Sequence, residues 1–196
     1  MPWSFALPQA IFDSPLLAIA TPIAGGSLVA LLTNHRYYPG NRDASKTQET
    51  YRQLRQPPFN PPGWLFGPAW TLLYGLMGYA SHHAAVTAAA SLSLAVRDAN
   101  ASAQTLYTTQ LVLNFLWMPL FFRLERPAAA LGDMALLAGN VTLLLAKWWT
   151  VDRTAFWLIT PYYAWLGYAA YLNAGVGILN GWKLPARDRK GPDRGE

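Results

Sequence analysis

Five stretches of this sequence each run for about the thickness of a bilayer, and together they hold one formally charged residue, Asp133. They are Pro15–Leu32, Trp64–Ser81, Gln104–Phe122, Pro127–Ala146 and Thr154–Leu179. Crossing the hydrocarbon core takes about 20 mostly apolar residues as a helix, or about 9–11 as a tilted strand. The stretches are too long for barrel strands and lack their alternation. Lipid offers an open backbone no hydrogen-bond partner, so helices are the consistent choice. The expected fold class is all-α and integral to the membrane: a five-transmembrane-helix bundle in one domain over 1–196. Helices are expected at about 15–32, 64–83, 104–122, 127–149 and 154–179, with loop one at 33–63 and a basic tail at 183–196. Charged residues make up 13% of the chain, about half the roughly 25% usual in a soluble domain. Residues 1–14 hold no Lys or Arg, so the first stretch lacks the basic start of a signal peptide and is read as a retained helix.

The positive charges agree with this count. With five spans, loop one, loop three and the tail share a side and hold twelve of the fifteen Lys and Arg residues. The other side holds three: Arg97 in loop two, and Lys147 and Arg153 in loop four. Lys and Arg concentrate on the cytosolic side, which places loop one and the C-terminus in the cytosol.

The segment entering the second stretch is the most informative. Residues 57–70 read PPFNPPGWLFGPAW. Pro57, Pro58, Pro61 and Pro62 cannot continue a helix and hold their predecessors extended. Asn60 suits a turn, and Trp64 follows at interfacial depth. Pro68 is expected inside the span, leaving a carbonyl for a neighbouring helix or water to satisfy.

Together with its continuation TLLYGLMGY, this segment resembles the TspO/translocator protein family, the tryptophan-rich sensory proteins that include the peripheral benzodiazepine receptor. LYTTQLVLNFLWMPLFF at Leu106–Phe122 is similar to that family's third helix, and PYYAWLGYAAYLN at Pro161–Asn173 to its fifth. The resemblance runs from about Pro15 to Asn180, and loop one carries an insertion around Tyr38–Thr50. It implies a five-helix bundle with a pocket open toward loop one, homodimers, and binding of porphyrins, sterols or benzodiazepine-site ligands. It also implies the mitochondrial outer membrane or another intracellular membrane for a eukaryotic protein.

Helical spacing groups three stripes of pocket candidates. Phe66, Trp70, Leu73, Tyr74 and Met77 share one face of the second helix. Gln110, Asn114, Trp117 and Phe121 share one of the third; Pro161, Trp165, Ala169 and Leu172 share one of the fifth, with Tyr168 beside it. Each sets flat aromatics beside polar or small residues, as a planar, mostly apolar ligand needs, although bundle packing uses the same residues. The expected ligand-binding set is Pro61, Phe66, Trp70, Tyr74, Gln110, Asn114, Trp117, Tyr162, Trp165 and Ala169. Asp133, the one acid inside a span, is read as structural, with Arg126 within its reach.

The leading functional reading is a membrane protein that binds tetrapyrroles (protoporphyrin IX or haem) as sensor, carrier or scavenger. One alternative is light- and oxygen-dependent porphyrin degradation, for which Trp70 and Trp165 match the family's paired pocket tryptophans. The other is a sterol or lipid carrier, or a membrane scaffold. The sterol motif of animal members is broken here, because Ala174 and Ile178 stand at its Tyr and Arg positions. No cofactor is required on this reading, and a porphyrin or haem enters as ligand. The expected partners are membrane lipid, these ligands and a second copy of the chain, not nucleic acid. Cysteine is absent, and His35, His82 and His83 lack metal-ligand spacing with convergent acids, so no metal site is expected. Asn100–Ala–Ser102 is a glycosylation-type triplet in the expected loop two.

Overall fold

The computed structural model describes residues 5–34 and 53–183. Loop-one residues His35, Arg36, Arg42, Lys46 and Arg52, the insertion Tyr38–Thr50, and the tail beyond Lys183 lie outside the described residues. Six α-helices occur among those described: α1 (Gln9–Asp13), α2 (Pro15–Asn34), α3 (Phe66–Ala90), α4 (Leu94–Met118), α5 (Pro127–Val151) and α6 (Arg153–Leu179). A 3-10 turn, Gly63–Leu65, leads into α3, and a π turn, Pro119–Arg123, ends α4. No strand occurs among the described residues. Two helical stretches, Pro15–Thr33 and Pro127–Val151, are long and apolar enough by composition alone to cross a membrane.

Several expected boundaries move. Helix α1 was not anticipated, because five residues are too few to show a period. Its Phe12 is nonetheless fully buried and meets the edge of Tyr107, ring centroids 6.0 Å apart. Helix α3 runs on to Ala90 rather than stopping at 83, since Ala88, Ala89 and Ala90 favour helix and nothing stops it before Ser91. Helix α4 begins at Leu94 rather than 104, so loop two shrinks to residues 91–93. Arg97 is therefore a helical residue, as is Lys147 in α5. The triplet at Asn100 is helical too, and Asn100 is buried, so it does not present an accessible acceptor. Pro68 falls in the first turn of α3, where the backbone N–H groups lack intrahelical partners in any case.

The helices close a ring whose order differs from chain order. Helix α2 packs on α3, α3 on α6, α6 on α5 and α5 on α4, and α4 returns to α2 and α3. Glycine sets the closest approaches. A Cβ on Gly78 would overlap the Ala18 carbonyl of α2, and one on Gly25 would fall 2.7 Å from the Phe115 ring of α4. A Cβ on Gly26 would meet the Tyr74 ring of α3. By contrast, Gly132 and Gly139 of α5 have open space around them, so these two glycines set no close approach within the chain. Met77, Tyr107, Leu137, Val141, Leu144, Ile159 and Tyr162 fill the centre of the ring.

Asp152 makes the corner between α5 and α6. Its Oδ1 accepts from the Thr154 and Ala155 N–H groups at 2.8 and 3.2 Å, capping α6. Its Oδ2 accepts from Thr87 Oγ1 at 2.7 Å and is bonded to His83 Nδ1, both on α3. Burial acts to raise the Asp152 pKa, but the hydrogen bonds from His83, Thr87 and Ala155 outweigh it and hold the carboxyl below its ordinary value. Asp152→Ala is expected to cost about 1–2 kcal/mol near neutral pH, as loss of a helix cap does. A depressed folded-state pKa contributes stability above the unfolded value of about 3.9 and loses it as pH falls through the folded value. The unfolding midpoints of wild type and variant, measured in detergent from neutral pH into acid, should therefore converge at the acid end.

Candidate functional site

The site lies at the loop-one end of the ring and begins with loop one itself. Pro57 packs on Gly175 of α6, where a Cβ would stand 2.6 Å from the Pro57 Cβ. Tyr168 OH donates to the Phe59 carbonyl at 2.6 Å, and Tyr171 OH to the Pro58 carbonyl at 3.0 Å. Phe59 holds φ at +61°, a left-handed conformation uncommon for a bulky residue. Asn180 brackets Arg55: its Oδ1 accepts the Arg55 N–H at 3.1 Å, and its Nδ2 donates to the Arg55 carbonyl at 2.9 Å. These bonds fix residues 55–59 along the C-terminal half of α6 and accompany the burial of Pro61.

Beneath this strap, three helices meet at one amide. Tyr74 OH of α3 donates to Asn114 Oδ1 of α4 at 2.8 Å, and Asn114 Nδ2 donates to Tyr162 OH of α6 at 3.2 Å. Trp70 lies 5.3 Å from the Tyr74 ring and 6.2 Å from the Tyr162 ring, centroid to centroid. Phe66 meets Trp165 edge-on at 6.1 Å, and Trp165 meets Tyr168 at 5.6 Å. Ala169 is half-buried and packs against the same core. Trp117 stacks on Phe121 at 5.2 Å and donates from Nε1 to Asn173 Oδ1 at 3.0 Å. Asn173 Nδ2 in turn donates to the Pro127 carbonyl at 2.9 Å.

Two buried polar atoms here have no hydrogen-bond partner among the described residues: the Trp165 Nε1 donor and the Gln110 Oε1 acceptor. Gln110 is fully buried, and its Nε2 finds only Met77 Sδ, at 3.6 Å. An unmet buried donor or acceptor costs about 1–3 kcal/mol, so both atoms favour a partner of opposite character. The site thus offers aromatic surface from α3 and α6, one free donor and one free acceptor. Among the described residues no group of His, Asp and Glu could hold a metal ion.

The expected stripes on α3 and α4 come together as read from the sequence. On α6, Pro161 is exposed and points away from the ring, while Tyr162, Leu166 and Asn173 are buried. Of the expected stripe, Leu172 is buried and Trp165 and Ala169 are half-buried, so Pro161 alone falls on the exposed face. Trp70 and Trp165 sit in adjacent aromatic groups rather than face to face. Arg126 makes no ion pair with Asp133; both oxygens of this buried carboxyl are without a partner among the described residues. Tyr168 stands beside the expected stripe as read from the sequence, whereas Asn173 and Tyr171 are positioning residues that the stripes do not include. Like Asn114, Asn173 is a side-chain amide in an apolar helix and must face inward.

The model of the TspO/MBR family matches residues 18–179. The chain belongs to the TspO/MBR family. It is similar to the translocator protein homolog of Schizosaccharomyces pombe, 47% identical over 69% of this chain and 80% of that protein. It is similar also to the human translocator protein, 36% identical over 68% of this chain and 76% of the relative. The tryptophan-rich sensory protein of Cereibacter sphaeroides is 34% identical over 71% and 82%. The chain is thus a TspO/MBR membrane protein, and the matched region contains the ring from the first turn of α2 onward, the Asn114 bridge and the described part of loop one.

Proposed function

We propose that the chain spans the membrane five times, through α2–α6, and binds a tetrapyrrole such as protoporphyrin IX or haem at the loop-one end of the ring. These helices have 20 to 27 residues, or about 30–40 Å, which suits a hydrocarbon core of about 30 Å. Phe66, Trp70, Tyr74 and Trp165 offer the macrocycle aromatic faces, Ala169 leaves it room, and Pro61 closes the mouth. Gln110, Asn114 and Tyr162 form the polar floor, and Trp117 holds the wall through Asn173. The observation that carries this reading is Trp165 Nε1, a buried donor without an acceptor inside an aromatic group. An acceptor on a bound ligand would remove its desolvation cost.

The relatives' names, translocator and tryptophan-rich sensory protein, fit a carrier or sensor of such a ligand. Sterol is the weaker ligand on this reading, because Ala174 and Ile178 leave the C-terminal end of α6 without the Tyr and basic residue of the sterol motif. A Trp-fluorescence titration of the purified protein tests it. Saturable quenching by protoporphyrin IX and haem at concentrations where cholesterol has no effect is expected. Quenching that does not saturate, or a preference for cholesterol, would overturn it.

The orientation belongs to the same proposal: loop one and the C-terminus in the cytosol, in an intracellular membrane such as the outer mitochondrial one, as a homodimer. Absence of native cysteine allows a clean test of the orientation. In sealed vesicles with the cytosolic face outward, a membrane-impermeant maleimide should label Lys183→Cys and spare Ser93→Cys. The reverse pattern would invert the topology.

A further inference from the structure

At the end of the ring away from loop one, a cleft of about 210 Å³ lies between α1, α3 and α4. Ala85, Ala88 and Ala89 of α3 form its small apolar side, and Arg97, Asn100 and Gln104 of α4 its polar side. Both helices have 25 residues, or about 37 Å, more than the roughly 30 Å of a hydrocarbon core. Under the five-span reading their ends, and the cleft with them, therefore lie among the lipid headgroups.

Asn100 makes the cleft polar. It is 7% exposed, it lines the cleft, and its side-chain amide hydrogen-bonds to no residue among those described. That amide has its donor and its acceptor free at the cleft wall, so the cleft suits a ligand with polar oxygens. Arg97 supplies the charge. Its Nε donates to the Ser91 carbonyl at 2.8 Å, which fixes the guanidinium while its terminal nitrogens remain unpaired among the described residues. Gln104 Nε2 donates to Gln9 Oε1 at 3.1 Å, and Gln9 Nε2 donates to Asp13 Oδ1 at 2.9 Å. The Asp13 carboxylate is thus already engaged at the rim, and Asp98 does not line the cleft.

A guanidinium beside an amide matches the oxygens of a phosphate group, and the alanine side suits the carbons attached to it. We propose that this cleft binds a phosphate ester presented as the headgroup of a membrane lipid. It lies at the opposite end of the ring from the tetrapyrrole site, and the proposal rests on the five-span reading only for its depth in the bilayer.

Native mass spectrometry of the delipidated full chain tests it, with three probes: dihexanoyl phosphatidic acid, dihexanoylglycerol and inorganic phosphate. Saturable retention of one phosphatidic acid per chain is expected, with no comparable retention of the diacylglycerol. Arg97→Gln and Asn100→Ala should each weaken retention by roughly ten-fold, the size of one lost charge-assisted or buried hydrogen bond. Arg97→Lys should restore part of it, and an unchanged unfolding midpoint of Arg97→Gln would exclude a folding effect. Equal retention of the diacylglycerol, or wild-type retention by both variants, would overturn the proposal. Inorganic phosphate binding as tightly as the lipid would overturn the lipid assignment in favour of a free anion. Tetrapyrrole titration of Arg97→Gln should match wild type, so the two sites can fail separately.

Discussion

Ala169→Leu is expected to weaken protoporphyrin IX binding about ten-fold or more while leaving the protein folded and membrane-inserted. Ala169 sits one helical turn beyond Trp165 on α6, half-buried against the core. On the proposed pose the macrocycle passes Ala169 between the Trp165 and Trp70 aromatic groups. Three added carbons must occupy that space or push α6 outward, and overpacking of this kind typically costs about 1–3 kcal/mol. At about 1.4 kcal/mol per decade of affinity, that is roughly 5- to 150-fold. In the protein without ligand the substitution meets a half-buried position rather than a closed core, so the unfolding midpoint should move far less than the affinity. Porphyrin titration of the variant in nanodiscs, together with a thermal scan, reads both quantities. Unchanged affinity would mean that this face of α6 serves packing alone.

Asn114→Leu should destabilise the protein by roughly 2–5 kcal/mol, because it leaves two buried partners unmet at once. Asn114 is the only side chain to which both the Tyr74 and Tyr162 hydroxyls are joined among the described residues. Leucine fills a similar volume but neither accepts from one nor donates to the other. Each stranded hydroxyl costs about 1–3 kcal/mol, and α3, α4 and α6 lose the contact that fixes their spacing. For a chain of this size, about 1 kcal/mol shifts the unfolding midpoint by roughly 2–4 °C, so a drop of order 5–15 °C in detergent is expected. The triple variant Tyr74→Phe, Asn114→Leu, Tyr162→Phe should recover much of it, since removing all partners of a buried network costs less than removing one. A triple variant no more stable than Asn114→Leu would show that the bridge does not carry this energy.

The all-helical fold was legible because five long apolar runs admit little else, and the inward faces of α3 and α4 followed from spacing alone. Asn114 was legible because a side-chain amide in an apolar helix has to face inward. Helix ends were not, for two local reasons. The Ala-rich stretch after His83 carries no stop signal, and a charge such as Arg97 reads as loop although charged residues also occupy helix ends outside the hydrocarbon. On α6 only Pro161 departs from the expected stripe. A proline inside a helix looks like a feature of a site, yet here it lies on the exposed face. The tie between loop one and α6 was invisible in the sequence. It depends on the Pro58 and Phe59 carbonyls, which backbone conformation presents and side-chain identity does not reveal. The ring order was hidden as well, because it follows from the glycine approaches between α2, α3 and α4 rather than from the order of the spans.

The position of the ligand is tested most directly by the indole N–H resonances of the ¹⁵N-tryptophan-labelled protein during a protoporphyrin IX titration, each assigned by single Trp→Phe replacement. A porphyrin beneath loop one would place its ring current on Trp165 and Trp70 and give the Trp165 N–H an acceptor. Trp148, buried in the last turn of α5 at the other end of the ring, serves as the internal reference. The predicted result is a saturable shift of Trp165 and Trp70, largest for Trp165, with Trp148 unmoved. Saturable porphyrin binding that leaves the Trp165 resonance in place would contradict the account.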